Sequence, residues 1–331
     1  MAIARKTRDT RHTTHDTGDK ELGVNIGKLK LKNPVILASG TAGFGKEIED
    51  LIDIDELGAI VTKTITLKKR EGNKPPRVSE TPSGMLNSIG LENSGMKDFI
   101  FNKVPYLKNF KTNVIASISG NTLNEFKTLA KELSKVPYIH AIEINLSCPN
   151  VIHGKTKHAI IAQDKNAVEK IVKEIRRITG ITLIAKLSPH VTDIKEIARS
   201  AEKSGADAIS LINTYPGMLV DISTMKPKLG NVTGGLSGPA IKPLALKCVW
   251  DVYNAVKIPV IGMGGIMTAE DAIEFILCGA SAVQVGTANF VNPKAGAEIL
   301  KGIKKYLSEQ KVKSISRLVG KLRVGVTRGA K

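Results

Sequence analysis

Ala141-Ile-Glu-Ile-Asn-Leu-Ser-Cys-Pro-Asn150 begins as a strand and ends as a polar loop. Ile142 and Ile144 alternate with Glu143, the period of two that defines a strand. Pro149 has no N–H to donate and ends regular pairing. Asn145, Ser147, Cys148 and Asn150 therefore cluster where an apolar strand opens, a position suited to chemistry because the strand anchors the base of the loop. The bland alternative is an inert, buried cysteine beside turn-forming asparagines. Two carboxamides and a hydroxyl so close to the thiol count against it.

The same grammar recurs along the chain. Apolar runs at Val35–Ala38, Ala59–Lys63, Asn113–Ser117, Ala141–Asn145, Thr182–Leu187, Ala208–Ile212, Pro259–Gly262 and Ala282–Val285 read as strands. Helical recurrence falls between most of them, at Leu123–Leu133, Ala167–Ile178, Ile194–Lys203, Ile241–Val256, Ala269–Leu277 and Ala295–Leu307. Asp164, Asp193 and Thr268 stand where N-caps are useful, and Gly205 and Gly279 where helices end. Strand–helix units with nearly continuous apolar strands predict a parallel sheet covered on both faces. Eight of them predict an α/β fold, a single TIM (β/α)8 barrel, with an open doubly wound sheet as the alternative. Long insertions from Thr64 to about Met96 and from Ile212 to Gly238 both follow strands, and so belong to the C-terminal face of the barrel.

The expected organisation is a flexible basic extension over residues 1–21, the barrel over 22–310 and a basic tail over 311–331. The 331 residues, 42% hydrophobic, suffice for a full core without disulfides. Cys148, Cys248 and Cys278 are too scattered for a disulfide framework, which fits a reducing cytoplasmic setting. Three cysteines cannot ligate an ordinary iron–sulfur cluster, and the histidines form no H-x-x-x-H pair, so no metal is expected. There is no apolar run of membrane-spanning length and no signal-peptide core, so no membrane association is expected. A net charge of +18 raises the question of nucleic acid. The lysines are dispersed, aromatics make up 4%, and no nucleic-acid-binding motif is present, so no such partner is expected.

Three groups of residues carry candidate chemistry. Lys63 and Lys186 end apolar strands in Ile60-Val-Thr-Lys63 and Ile184-Ala-Lys-Leu-Ser-Pro189. Each either stabilises an anion or forms a Schiff base, or it snorkels to solvent. Gly262-Met-Gly-Gly-Ile-Met267 and Gly286-Thr-Ala288 follow the seventh and eighth strands, where barrels often hold a phosphate. Neither is a dinucleotide fingerprint. Asn87, Asn145, Asn150 and Asn213 sit in strand-end loops, and converging carboxamides suit a flat ring of alternating N–H and C=O groups.

Asn145-Leu-Ser-Cys-Pro-Asn150, Asn87-Ser-Ile-Gly-Leu91, Thr233-Gly-Gly-Leu-Ser-Gly-Pro-Ala-Ile-Lys-Pro243 and Ile261-Gly-Met-Gly-Gly-Ile266 together resemble dihydroorotate dehydrogenase, over about residues 22 to 308. The resemblance implies a barrel that binds FMN and oxidises dihydroorotate to orotate in pyrimidine synthesis. The C5 proton would go to Cys148 and the C6 hydride to the flavin. Cysteine rather than serine at this position, with no N-terminal membrane helix, resembles class 1. The Leu-Ser-Gly-Pro-Ala-Ile-Lys-Pro and Gly-Met-Gly-Gly forms resemble the NAD-linked 1B catalytic subunit. That type implies a homodimer carrying a second subunit with FAD and a [2Fe–2S] cluster, a heterotetramer. The alternatives are a fumarate-linked 1A enzyme and a dihydropyrimidine dehydrogenase-like subunit acting on dihydrouracil or dihydrothymine. A flavin-free Schiff-base lyase and a basic nucleic-acid-binding barrel are the more distant ones.

Carried over by motif, Cys148, Lys63 and Lys186 would be catalytic. Ser39, Lys63, Thr64, Ser117, Asn145, Lys186, Ile212, Gly238, Gly264, Gly265, Gly286 and Thr287 would contact the cofactor. Lys63, Asn87, Ser88, Ile89, Gly90, Leu91, Asn145, Asn150, Asn213 and Thr214 would hold the substrate. Ser117, in Ile115-Ala-Ser-Ile-Ser-Gly120, departs from the asparagine that relatives often have near the flavin.

Overall fold

The computed structural model describes residues 21–147 and 161–324. Cys148, Asn150, nearly all of the N-terminal extension and the end of the C-terminal tail lie outside the described residues. A short antiparallel hairpin, β1 (Val24–Ile26) and β2 (Leu29–Leu31), leads into the barrel strands β3 (Val35–Leu37) and β4 (Ala59–Val61). The first insertion then carries β5 (Val78–Thr81) and β6 (Gly84–Asn87). The barrel resumes with β7 (Asn113–Ile118), β8 (Ala141–Asn145), β9 (Thr182–Lys186) and β10 (Ala208–Leu211). The second insertion carries β11 (Tyr215–Met218), β12 (Val220–Asp221), β13 (Lys226–Pro227) and β14 (Thr233–Ser237), and β15 (Val260–Met263) and β16 (Ala280–Val285) complete the chain of strands. Eight parallel strands close in the order β3-β4-β7-β8-β9-β10-β15-β16, with β16 pairing back onto β3. This is a TIM barrel.

The helices Leu123–Leu133, Lys165–Arg176, Ile194–Lys203, Lys242–Tyr253, Ala269–Leu277 and Ala295–Glu309 pack outside it. Each begins or ends for a local reason. Asp164 and Asp193 accept from the N–H groups of Asn166 and Lys195, and Thr268 forms a reciprocal capping box with Asp271. Gly205 and Gly279 adopt φ of +99° and +116° just past helix ends. The eightfold strand–helix pattern is incomplete at its start. Between β3 and β4 the described chain has only a single 3-10 turn, Ile54–Glu56, because turns at Gly40, Gly43 and Gly45 with positive φ break any helical run. Between β4 and β7 the helical stretch is divided among Met96–Asp98, Phe99–Lys103 and Val104–Leu107.

Both insertions lie at the C-terminal ends of the barrel strands and pair with each other. Strands β5 and β6 from the first and β11 and β14 from the second form one antiparallel sheet, ordered β11-β14-β6-β5. After the last helix the chain folds back along the barrel. Ile315 is buried and donates its N–H to the Glu21 carbonyl, while Lys311, Lys313, Arg317, Lys321 and Arg323 remain exposed. No helix among the described residues is long and apolar enough to cross a membrane.

Candidate active site

Paired residues on adjacent barrel strands face the same way, so the register fixes what points inward. Glu143 pairs with Ser117 on one side and Ile184 on the other, Asn145 with Lys186, Lys186 with Ser210, and Gln284 with Met263 and Ile36. The interior thus holds a polar layer containing Ser117, Glu143, Ser210 and Gln284. Asn145 and Lys186 lie nearer the strand ends. Ile142 and Ile144, of the opposite phase, are fully buried in the hydrophobic core.

Above the strand ends lies a cavity of about 650 Å³, within the range of roughly 300–1,000 Å³ usual for ligand sites. Lys63, Asn145, Lys186, Ile212, Met263 and Gly286 contribute to its floor, and the four-stranded sheet covers it. Every expected site residue among the described ones lines it, except Ser117. Those are Ser39, Lys63, Thr64, Asn87, Ser88, Ile89, Gly90, Leu91, Asn145, Lys186, Ile212, Asn213, Thr214, Gly238, Gly264, Gly265, Gly286 and Thr287. Ser117 is fully buried one layer down, level with Glu143, and its hydroxyl is spent on Thr64 Oγ1 at 2.9 Å. Ser147, the last described residue before Cys148, also lines the cavity.

The carboxamides brace one another. Asn145 Oδ1 accepts from Ser147 N at 3.2 Å and lies 3.5 Å from Asn213 Nδ2, while Asn213 Oδ1 accepts from Thr214 N at 2.8 Å. The Asn87–Leu91 loop is held from behind: Asn73 Nδ2 donates to the Ser88 carbonyl at 3.0 Å, and Arg77 binds the Asn73 carbonyl and Glu92. On the opposite wall, Thr287 Oγ1 donates to Ser237 Oγ at 2.8 Å. Among the described residues, the backbone N–H groups of Gly264, Gly265, Gly286 and Thr287 donate to no backbone carbonyl. Free N–H groups beside glycine are suited to an anion.

The two lysines differ. Lys63 is half-buried, and its ammonium has no hydrogen-bond or ion-pair partner among the described residues. Lys186 is buried, with Nζ 3.5 Å from Glu143 Oε1. Glu143 Oε2 accepts from Ser210 Oγ at 3.0 Å and from Gln284 Nε2 at 2.7 Å. An ionised carboxylate only accepts, so the Gln284 amide nitrogen must face it and the amide oxygen faces away. That oxygen, with the hydroxyls of Ser88 and Ser147, is a buried polar atom at the cavity wall with no partner among the described residues. Such orphans are rare unless a ligand completes them.

Glu143, Ser210, Gln284, Asn73 and Ser237 were not among the expected site residues. A signal for two of them was present: Glu143 and Gln284 are polar interruptions of apolar strands, and Glu143 is in phase with Asn145. The other cysteines are ordinary. Burial pushes the Cys248 thiol up to about 11 and raises Cys278 as well, so neither is a ready thiolate. Among the described residues no three His, Cys, Asp or Glu side chains group as a metal site.

A closed barrel whose C-terminal face gathers two lysines, six amide side chains among the described residues and glycine-rich turns with free N–H groups has the form of a barrel enzyme's active site. Comparison with known proteins is specific. The family model for dihydroorotate dehydrogenase matches residues 21–307, and the chain belongs to that family. Among curated relatives, the "dihydroorotate dehydrogenase B (NAD(+)), catalytic subunit" of Trichlorobacter lovleyi is 52% identical over 91% of this chain and 98% of its own length. Proteins of the same description from Desulforamulus reducens and Bacteroides thetaiotaomicron are 54% and 49% identical, over 90% and 92% of this chain and 97% and 99% of their own. The solved structure of Eimeria tenella DHODH in complex with ferulenol superposes with a TM-score of 0.74 at 23% identity, covering 93% of this chain and 90% of that one, a likeness of fold.

Proposed function

We propose that this chain is the catalytic subunit of an NAD-linked dihydroorotate dehydrogenase, oxidising (S)-dihydroorotate to orotate in pyrimidine biosynthesis with FMN as its cofactor. The observation that carries the reading is about 50% identity over nearly the full length of relatives so described. The cavity fits a flavin: the unpartnered Gln284 oxygen offers an acceptor, Lys186 a cation, and the Gly264–Gly265 and Gly286–Thr287 turns free N–H groups for a phosphate. Bound there, FMN would accept the hydride from C6 of the substrate.

The chain's own residues would do the rest. Asn87, Asn145, Asn213 and, outside the described residues, Asn150 would grip the pyrimidine ring together with Ser88, Ile89, Gly90, Leu91 and Thr214. Lys63, with no partner among the described residues, would face both ligands. Ser39, Thr64, Ile212 and Gly238 would complete the flavin's surroundings. Cys148, also outside the described residues, would take the C5 proton as general base. Lys186 would place a positive charge where negative charge develops.

Electrons would leave through a second subunit with FAD and a [2Fe–2S] cluster, docked on a homodimer of this chain, in the cytoplasm. The relatives' description as a catalytic subunit favours that arrangement. Anaerobic mixing of purified protein with dihydroorotate, and separately with dihydrouracil, tests the function. Rapid bleaching of the flavin band by dihydroorotate alone is expected. A colourless protein, or bleaching only by dihydrouracil, would refute it.

A further inference from the structure

Glu143 is fully buried and does not line the cavity, yet two of the residues that touch its carboxylate, Lys186 and Gln284, do. We infer that Glu143 is a positioning residue: through Lys186 it sets how much positive charge the cavity floor presents to a bound flavin. The inference rests on the flavin-dependent reading above.

The geometry is that of a clamped counter-charge. Strands β8 and β16 stand four places apart in a ring of eight, so Gln284 reaches Glu143 across the full width of the barrel. Ser210, on β10 midway between β8 and β16 in the ring, holds the same carboxylate oxygen. Two donors hold Oε2, so the carboxylate is anchored independently of the lysine. Its other oxygen lies 3.5 Å from the Lys186 ammonium yet accepts no hydrogen bond among the described residues. The pair is therefore close enough for strong attraction in a buried setting, while the ammonium keeps its N–H donors for the cavity.

The arrangement answers an electrical problem. Hydride uptake would leave a flavin ring more negative, so an unopposed ammonium in the same cavity would hold the electrons tightly. An enzyme that must pass them to a low-potential acceptor such as NAD+ gains from a floor that supplies donors with its charge partly cancelled. Glu143, positioned behind Lys186, provides that cancellation without competing for the ligand.

The test is spectroelectrochemical titration of the bound flavin in the purified holoprotein. Glu143→Gln keeps the shape of the side chain and removes its charge. The expected result is a midpoint potential raised by at least about 30 mV, a tenfold change in the reduced-to-oxidised ratio for a two-electron couple. Ser210→Ala, which removes a hydrogen bond and no charge, should change that ratio less than threefold. Glu143→Asp, which draws the carboxylate back by one methylene, should raise the potential by a smaller amount and serves if the glutamine variant does not fold. An unchanged or lowered potential in any Glu143 variant that retains flavin and melts normally overturns the inference. Wild-type protein that carries no flavin would instead defeat the functional reading beneath it.

Discussion

Thr64 and Ser117 meet hydroxyl to hydroxyl at 2.9 Å, with Thr64 at the cavity wall and Ser117 sealed behind it. The expected consequence is that Ser117 influences a ligand only through Thr64. Ser117→Ala should cost about 0.5–1.5 kcal/mol of stability, the usual net worth of one hydrogen bond. Its affinity for FMN, measured by quenching of flavin fluorescence on titration of apoprotein, should stay within a few-fold of wild type. A loss greater than tenfold would show that the serine touches the cofactor after all.

Gly286 gives a clean probe of the proposed phosphate cradle. A Cβ built there would lie 3.5 Å from Ala38 Cβ and 3.8 Å from Thr41 Cγ2, ordinary contacts, so Gly286→Ala should fold as the wild type does. Only a ligand pressed against the backbone would object. The variant should purify with little FMN and an unchanged melting temperature. Gly265→Val is a blunter test, because φ is +77° and its Cβ would stand 2.9 Å from the Gly238 carbonyl oxygen, straining the loop by itself. A Gly286→Ala protein with full flavin content would move the phosphate elsewhere.

Lys186 and Glu143 make a buried pair, and breaking such a pair leaves a stranded charge. Lys186→Met should destabilise the chain by about 3–5 kcal/mol in urea unfolding. Adding Glu143→Gln to that variant removes the stranded carboxylate and should restore most of the loss. Equal stabilities for the single and double variants would mean that Lys186→Met leaves no stranded charge for Glu143→Gln to relieve.

Cys148→Ser should retain flavin but slow its reduction by dihydroorotate by about 10²–10⁴-fold, the usual contribution of a general base. The base acts as its deprotonated form, so the rate should rise with pH towards the range where an ordinary thiol titrates, near ~8.5. Cys248→Ser and Cys278→Ser should leave turnover unchanged, consistent with thiols that burial keeps protonated. Single-turnover bleaching at several pH values measures all three.

The chain alone should pass electrons from dihydroorotate to artificial dyes and not to NAD+. Steady-state assays on the highly purified single chain settle the matter. Robust NADH formation would remove the need for a partner, and efficient turnover with fumarate would indicate the other class 1 type.

Much of this architecture was legible in the sequence because barrel strands are short, apolar and separated by amphipathic helices. Leu123–Leu133, Ile194–Lys203 and Ala269–Leu277 match their expected bounds, since Asp193 and Thr268 mark two of the starts. The covering sheet was not legible. Tyr215-Pro-Gly-Met218 and Thr233-Gly-Gly-Leu-Ser237 are exposed or half-exposed, rich in glycine and without alternation, and they pair only because the barrel brings them together. Within the site, residues at strand ends were found because their types are unusual there. In the sequence Glu143 reads only as one beat of an alternating strand. Its partners, Ser210 and Gln284, are 67 and 141 residues away, and no local pattern carries that distance.

The sheet over the cavity joins segments far apart in the chain: Leu86 pairs with Leu236, and Ser237 contacts Met85 across 152 residues. Contacts of such long sequence separation are costly to close, so this lid is expected to assemble late, on a barrel already formed. The same edge-rich, glycine-rich sheet should be the first part to come apart below the global transition. Capacity to bind and cooperative melting would then be distinct events: amides of Thr233–Ser237 would exchange with deuterium far sooner than those of Ala141–Asn145. Ligand added to the cavity would slow the first set and leave the second unchanged.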